Sequence, residues 1–238
     1  QPEYTLDIGE KNTIELTVFS GDKKPYMYKS KAYKRNDTAT VEVDRAELTR
    51  LILAGSNMHY EELPAENQKL TFRELEKRLI AETGIDRCDI NILKTLNLYS
   101  DKDGYNIAAA LLADSNNYPG IDIGRFGESI SVIRKRKTLD NISILAEYEA
   151  ACEIFRDYYQ YEIIEGSLRK TKELIPEEAF RETVANALIH RVWDVREQIR
   201  VFMFEDRIEV YSPGGLPEEL SKEEYLAGNF SKLRNPII

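Results

Sequence analysis

The chain has little of what usually announces chemistry: its 238 residues include two cysteines, two histidines, one tryptophan and three methionines. Cys88 and Cys152 lie too far apart for a metal or redox motif, which points to reduced thiols and away from a disulfide framework. No run approaches the roughly 18 apolar residues that a membrane span requires, and no signal peptide opens the chain. A cytoplasmic protein without a membrane partner is expected. Positive charge is in the minority: 33 Lys and Arg against 42 Asp and Glu leave a formal charge of −9. That balance argues against a surface that coats nucleic acid overall, but it leaves local basic patches available. The composition itself is globular, at 42% hydrophobic and 32% charged, which excludes wholesale disorder. The length corresponds to roughly one and a half domains. With Gln1 at one end and Asn235-Pro236-Ile237-Ile238 at the other, the expectation is an excised piece of a longer protein.

Along the chain the first stretch reads as β-rich. Thr13 to Val18 alternates polar and apolar residues, the period of a half-buried strand, and Ser20-Gly21-Asp22 follows as a turn. Tyr26 to Tyr28 and Ala32 to Arg35 suggest a hairpin around Lys29-Ser30-Lys31. Asp44 is placed to cap a helix from Arg45 to Leu53. Thr71, with Glu74 three residues on, has the form of a capping box for a helix through Ala81. Cys88 to Leu96 suggests another short helix, Asp101 to Gly104 a turn, and Asn106 to Ala113 a small-residue helix or strand. Ile121 to Phe126 and Ser129 to Ile133 look like strands, followed by a helix from Ser143 to about Tyr161. Pro176, with Glu177 and Glu178 after it, marks the start of a helix running to about Arg191. Gln198 to Phe204 and Ile208 to Tyr211 read as strands, and Ser212-Pro213-Gly214-Gly215 forces a loop. The fold class expected is α+β.

Three constellations stand out. On the helix ending at Arg191, Phe180, Val184 and Leu188 form a core stripe, and Glu182, Asn186 and His190 form a second stripe at the same spacing. A carboxylate can act as a general base toward water, and an amide oxygen is a hard ligand suited to Mg²⁺. A polar stripe on a surface helix is the alternative meaning. Ser212-Pro213-Gly214-Gly215 after a strand could let backbone N–H groups approach an anion, or could simply end a hairpin. Finally, Lys29, Lys31, Lys34 and Arg35 interleave with Tyr26, Tyr28 and Tyr33, a composition suited to phosphate contact and base stacking, or to a charged edge that resists aggregation. Arg134-Lys135-Arg136-Lys137 is a second basic run, read as such an edge. His59 reads as a solvated loop residue and Trp193 as a packing anchor.

Taken together, Arg181-Glu182-Thr183-Val184-Ala185-Asn186-Ala187-Leu188-Ile189-His190-Arg191, then Phe204 to Pro217, then Arg234-Asn235-Pro236 resemble the GHKL-type ATPase-like domain of bacterial transcriptional regulators. In those proteins that domain follows a Schlafen-type AlbA DNA-binding domain, and Pro25-Tyr26, Lys31 to Asn36 and Glu47-Leu48 are similar to its tail. The resemblance implies a partial AlbA-like module over residues 1–65, a helical connector over 66–160 and a truncated GHKL-like α/β sandwich over 161–238. It implies Glu182 as catalytic base and Asn186 as the Mg²⁺ ligand. Nucleotide contacts would come from Asn186, His190, Ser212, Gly214 and Gly215, and nucleic-acid contacts from Lys29, Lys31, Tyr33, Lys34 and Arg35. ATP and Mg²⁺ are the implied cofactors, DNA and nucleotide the implied partners, and a homo-oligomer the implied assembly. One departure is plain: Ser212 and Pro213 stand where the family carries an adenine-recognising Asp. The ATP lid and last glycine box would lie beyond Ile238 and the opening AlbA strands before Gln1. Any ATPase or nuclease activity is therefore expected of a longer protein. A degenerate GHKL fold kept as a dimerisation scaffold is the alternative.

Overall fold

Period-2 alternation builds the first element. β1 (Tyr4–Ile8) and β2 (Ile14–Val18) pair antiparallel so that Tyr4/Val18, Leu6/Leu16 and Ile8/Ile14 share one face while Thr5/Thr17 and Asp7/Glu15 share the other. The structure, a computed structural model, describes residues 3–9, 13–19, 25–165, 168–216, 221–228 and 233–238. The turn expected at Ser20-Gly21-Asp22 lies outside the described residues. The chain divides into two compact units, residues 1–60 and 61–238. Its fold class is α+β, with five small sheets and seven α-helices among the described residues.

In the first unit, the hairpin is not centred on Lys29-Ser30-Lys31 as the sequence suggests. Lys29 and Ser30 adopt positive φ and close a single Tyr28–Lys31 bridge. The paired strands are β3 (Tyr33–Asn36) and β4 (Ala39–Glu42), turning at Asp37, whose φ is +51°. Their pairing extends past Tyr33, because the carbonyl of the buried Ala32 accepts from Val43 N. α1 (Arg45–Gly55) follows, with the Asp44 side chain accepting from Glu47 N at 2.8 Å. His59 is half-buried, not fully solvated.

The second unit opens with α2 (Arg73–Thr83). Its N-terminal cap is not the local box that Thr71 and Glu74 suggest. Asp114, 40 residues away from Glu74, accepts from the Glu74 N–H at 3.1 Å, so a distant carboxylate satisfies a first-turn donor. α3 (Ile90–Thr95) is capped by Asp89, and α4 (Ile107–Leu112) by Asn106. Between them β5 (Tyr99–Ser100) and β6 (Gly104–Tyr105) form a short hairpin. Leu75, Leu93, Leu98, Ala108 and Ala109 make the buried cluster that these pieces share, and Ile237 and Ile238 pack against it.

The main sheet contains four strands. β7 (Ile121–Phe126) pairs antiparallel with β8 (Ile133–Leu139) and parallel with β11 (Ile199–Met203), which pairs antiparallel with β12 (Ile208–Tyr211). The order across the sheet is therefore β12–β11–β7–β8. β8 begins at Ile133, later than the strand expected from Ser129. Gly127 N bonds Val132 O, and Val132 N bonds Ser129 O, which holds that stretch in a turn. β8 therefore carries the basic run Arg134 to Lys137. α5 (Ile144–Tyr159) is capped by Ser143, and α6 (Glu177–His190) begins after Pro176. Phe155 of α5 stacks on Phe180 of α6 with ring centroids 4.6 Å apart. Between the two helices, β9 (Gln160–Glu165) and β10 (Leu168–Glu173) pair as an antiparallel ribbon that no pattern in the sequence announces. A short α7 (Lys222–Ala227) lies near the C-terminal end. On β11, Ile199, Val201 and Met203 are fully buried while Arg200 is exposed. The strand's period thus turns the apolar face toward α5 and α6 and leaves Arg200 and Phe202 on the opposite face.

Candidate functional site

α6 forms where its sequence says it should. Phe180, Val184, Ala187 and Leu188 are its buried residues, and Glu177 and Glu178 sit in the first turn, where carboxylates favour the helix dipole. Glu182 and Asn186 emerge on the solvent side. They are bonded to each other: Asn186 Nδ2 donates to Glu182 Oε1 at 2.9 Å. That bond leaves the amide oxygen of Asn186 and the second carboxylate oxygen as hard donors. Mg²⁺ commonly takes one or two such protein oxygens and completes its shell with water and phosphate, so the pair fits the chemistry the ion needs. No cluster of three or more His, Cys, Asp or Glu able to hold a metal ion occurs among the described residues.

The C-terminal end of α6 is where separate segments meet. The last carbonyls of a helix have no partner within it, and here loop side chains supply them. Ser212 Oγ donates to Ala187 O at 2.9 Å, and Arg234 Nη1 donates to His190 O at 3.1 Å. Asn235 Nδ2 donates to Ile189 O at 2.6 Å and to Arg191 O at 3.0 Å. The 212–215 loop, the Arg234-Asn235 segment and the helix end, including His190, therefore converge. Two consequences bear on the expected nucleotide contacts. The Ser212 hydroxyl proton is directed into the helix, leaving only its lone pairs outward. Gly214 needs to be glycine: its φ is +122°, and a Cβ there would overlap Val192 Cγ2. Gly215 has nothing within 4 Å of an added Cβ, and its carbonyl accepts from Arg234 Nη2 at 2.7 Å.

Next to this junction lies a buried polar group that sequence reasoning missed. Arg191 is completely buried and donates to Pro119 O at 2.6 Å, Glu197 O at 2.5 Å and Val195 O at 3.4 Å. Its guanidinium carbon lies 4.2 Å from the Trp193 ring centroid, a cation–π contact. Desolvation lowers the Arg191 pKa to about 10, against the opposing attraction of Glu147. Glu147, on the first turn of α5, is also buried. Burial pushes it up to about 8, with Arg191 opposing and Asp140 adding to the rise. Glu147 Oε2, Arg191 Nε and Trp193 Nε1 are buried without a hydrogen-bond partner among the described residues. Trp193 is the packing anchor that its apolar ring predicts, set edge-on to Tyr118.

The basic hairpin of the first unit is locally compensated. Lys31 Nζ lies 2.6 Å from Glu42, which raises the lysine pKa through a side-chain hydrogen bond and charge attraction. Lys34 Nζ lies 2.7 Å from Glu47. Arg35 Nε donates to Asp37 O and its Nη1 to Thr40 Oγ1. Lys29 rests over the Tyr28 ring at 5.3 Å. Tyr33 remains exposed. On β8, Arg134 pairs with Glu205, and Arg136 grips Asp122 with two nitrogens.

A family model described as "Putative ATP-dependent DNA helicase recG C-terminal" matches residues 196–238. That stretch contains β11, β12, the glycine loop and Arg234-Asn235-Pro236, but not Glu182 or Asn186 of α6. None of the curated proteins matches the chain. Among solved structures, the DIP2311 protein from Corynebacterium diphtheriae is similar, with a TM-score of 0.63 and 20% sequence identity over 98% of this chain and 49% of that one. The chain thus spans about half the length of that protein, and the likeness is one of fold. No helix among the described residues is long and apolar enough to cross a membrane. The family match supports an ATPase-like module at the C-terminal end of this chain, and with it a nucleotide as ligand.

Proposed function

We propose that this chain belongs to a nucleic-acid-associated regulator whose C-terminal part, residues 161–238, is a GHKL-like nucleotide-binding module. The observation that carries the reading is the convergence of two separate segments on the end of α6, the glycine loop through Ser212 and the C-terminal stretch through Arg234 and Asn235. The family match over residues 196–238 adds independent support. In this reading Asn186, beside Glu182, holds Mg²⁺, and Glu182 orients and deprotonates water when a longer protein hydrolyses ATP. His190, Ser212, Gly214 and Gly215 face the nucleotide. Residues 1–65 act as the C-terminal part of an AlbA-like module, with Lys29, Lys31, Tyr33, Lys34 and Arg35 toward DNA, and 66–160 as a connector whose last part, β7 and β8, completes the four-stranded sheet shared with β11 and β12. The assembly is a cytoplasmic homo-oligomer.

A second reading, a degenerate fold serving as a dimerisation scaffold, is favoured by one feature. The Ser212 hydroxyl that replaces the adenine-recognising Asp is already engaged with α6. A thermal-shift titration with ATP, ADP and GTP, each with and without Mg²⁺, decides between them. A ligand that binds the folded state must raise the melting temperature. A rise with ATP and Mg²⁺ is expected, and no rise with any nucleotide overturns the nucleotide-binding reading in favour of the scaffold.

A further inference from the structure

Two openings lie side by side at the start of β11, on the face of the sheet that α5 and α6 leave uncovered. The larger has a volume of about 470 Å³ and is bounded by residues 117–119, Asp140, Asn141 and residues 196–198, with Arg200 at its edge. The smaller, about 150 Å³, shares Glu197, Gln198 and Arg200 and continues along Phe202 and Tyr211 to Ser212 and Pro213. Neither is lined by Glu182, Asn186 or His190. The groove therefore meets the site proposed above only at Ser212.

The groove is built, not incidental. Its two walls, the 117–119 and 195–197 segments, are clamped together by the buried Arg191, which bonds carbonyls on both. Its floor is held by Asp140, which accepts from Gly120 N at 3.0 Å and from Gln198 Nε2 at 2.9 Å. Burying an arginine side chain is unfavourable unless its donors are met, and here the two terminal nitrogens, Nη1 and Nη2, are spent on holding these walls. The side chains of Arg196 and Arg200 are exposed and make no hydrogen bond or ion pair with another described residue, unlike Arg134, Arg136, Arg156 and Arg207, which are paired. The aromatic side of the groove is Tyr211, 52% exposed, with its ring centroid 5.4 Å from that of Phe202.

We propose that this groove binds a nucleotide unit, with its phosphate between Arg196 and Arg200 and its base against Tyr211 and Phe202. The guanidinium groups supply the forked donors that suit phosphate oxygens. The exposed ring supplies a stacking surface that accepts any base. The Glu197 carboxylate, which lines both openings, supplies a partner for an exocyclic group of the base, and the amides of Asn117 and Asn141, which line only the larger one, supply donors on the phosphate side. The combined volume falls in the range of small-molecule sites, roughly 300–1,000 Å³. The same chemistry serves a free mononucleotide or one residue of a single strand.

Calorimetric titration of the intact chain without Mg²⁺, using AMP in one arm and a short oligothymidylate in the other, tests this. Saturable binding in at least one arm is expected, weakened about tenfold or more in the Arg196→Gln, Arg200→Gln double variant. Tyr211→Leu is expected to weaken it by several-fold to about tenfold. Tighter binding of the oligonucleotide assigns the groove to single strands, and equal or tighter binding of AMP assigns it to the free nucleotide. The proposal is overturned if neither probe binds at millimolar concentration, or if the arginine double variant binds as the parent does. Abolished AMP binding in Asn186→Ala with no change in the arginine variant would place the nucleotide on α6 instead. All three positions substituted in the groove are solvent-facing, so circular dichroism of each variant should match the parent.

Discussion

Asn235 ties the C-terminal end of the chain to α6, its buried side-chain amide donating to both Ile189 O and Arg191 O. A single side chain thus satisfies two carbonyls that the helix cannot pair internally. Replacing it leaves them without that donor, at about 1–3 kcal/mol. Asn235→Ala should lower the melting temperature by several degrees. Asn235→Asp should do the same at neutral pH, because a carboxylate offers those carbonyls no donor. A melting curve unchanged by both substitutions would refute this capping role.

Gly214 and Gly215 are adjacent yet differ in what they permit. Gly214→Ala places a Cβ against Val192 at a backbone angle that side chains avoid, which costs about 1–3 kcal/mol. Gly215→Ala meets nothing and should change stability by less than about 0.5 kcal/mol. Paired denaturant titrations measure the contrast. Equal effects would show that the loop relaxes around both.

Glu147 gives stability a pH dependence of definite sign. Its folded-state pKa, about 8, lies above its ordinary value of 4.5. Its contribution is therefore fully present below pH 4.5 and is lost as pH rises through 8. Arg191 and Asp140 are the charged groups that act on it. Carboxyls held low by hydrogen bonds, such as Glu177 by Arg156, act in the opposite direction but below about pH 4.5. Between about pH 5 and 8.5 the parent should lose stability relative to Glu147→Gln, which stays neutral. Parallel melting-temperature profiles for the two proteins would rule this out.

The hairpin cations offer a test of the nucleic-acid assignment. Charge reversal at Lys31, Lys34 and Arg35 should weaken DNA binding and flatten its dependence on salt, because with each phosphate left unneutralised about one counterion fewer is released. The lysine pairs with Glu42 and Glu47 are exposed, so the stability change should stay within about 1 kcal/mol per pair. Fluorescence anisotropy across a salt series reads both affinity and slope. Unchanged values would remove this surface from the site.

Glu182→Ala, made in a longer protein that hydrolyses ATP, should abolish turnover while leaving nucleotide affinity within a few-fold. Retained turnover would remove the general-base role from Glu182.

Local signals in this chain are legible because their causes are local. Asp44, Ser143 and Pro176 mark helix starts through their own side chains or rings, and Phe180, Val184 and Leu188 show the buried stripe of α6 by spacing alone. The adjacency of His190, the glycine loop and Arg234-Asn235 is suggested by resemblance and not by any periodicity. Where the governing partner is distant, the sequence cannot supply it. Thr71 has the right type to cap α2, but a carboxylate from Asp114 satisfies the first turn. Lys31 and Lys34 look like free cations until the fold brings Glu42 and Glu47 alongside.

By itself the sequence determined most helices, the alternating strands and the candidate polar stripe, since each follows from neighbours within one or two turns of chain. Tertiary structure alone decided that Arg191 is buried and bonded to Pro119, 72 positions away, and that Arg196 and Arg200 stand beside a groove without a partner among the described residues. The physical reason is that whether a charge is solvated, paired or sealed in the core depends on which distant segments close around it, and no local pattern of residues carries that information.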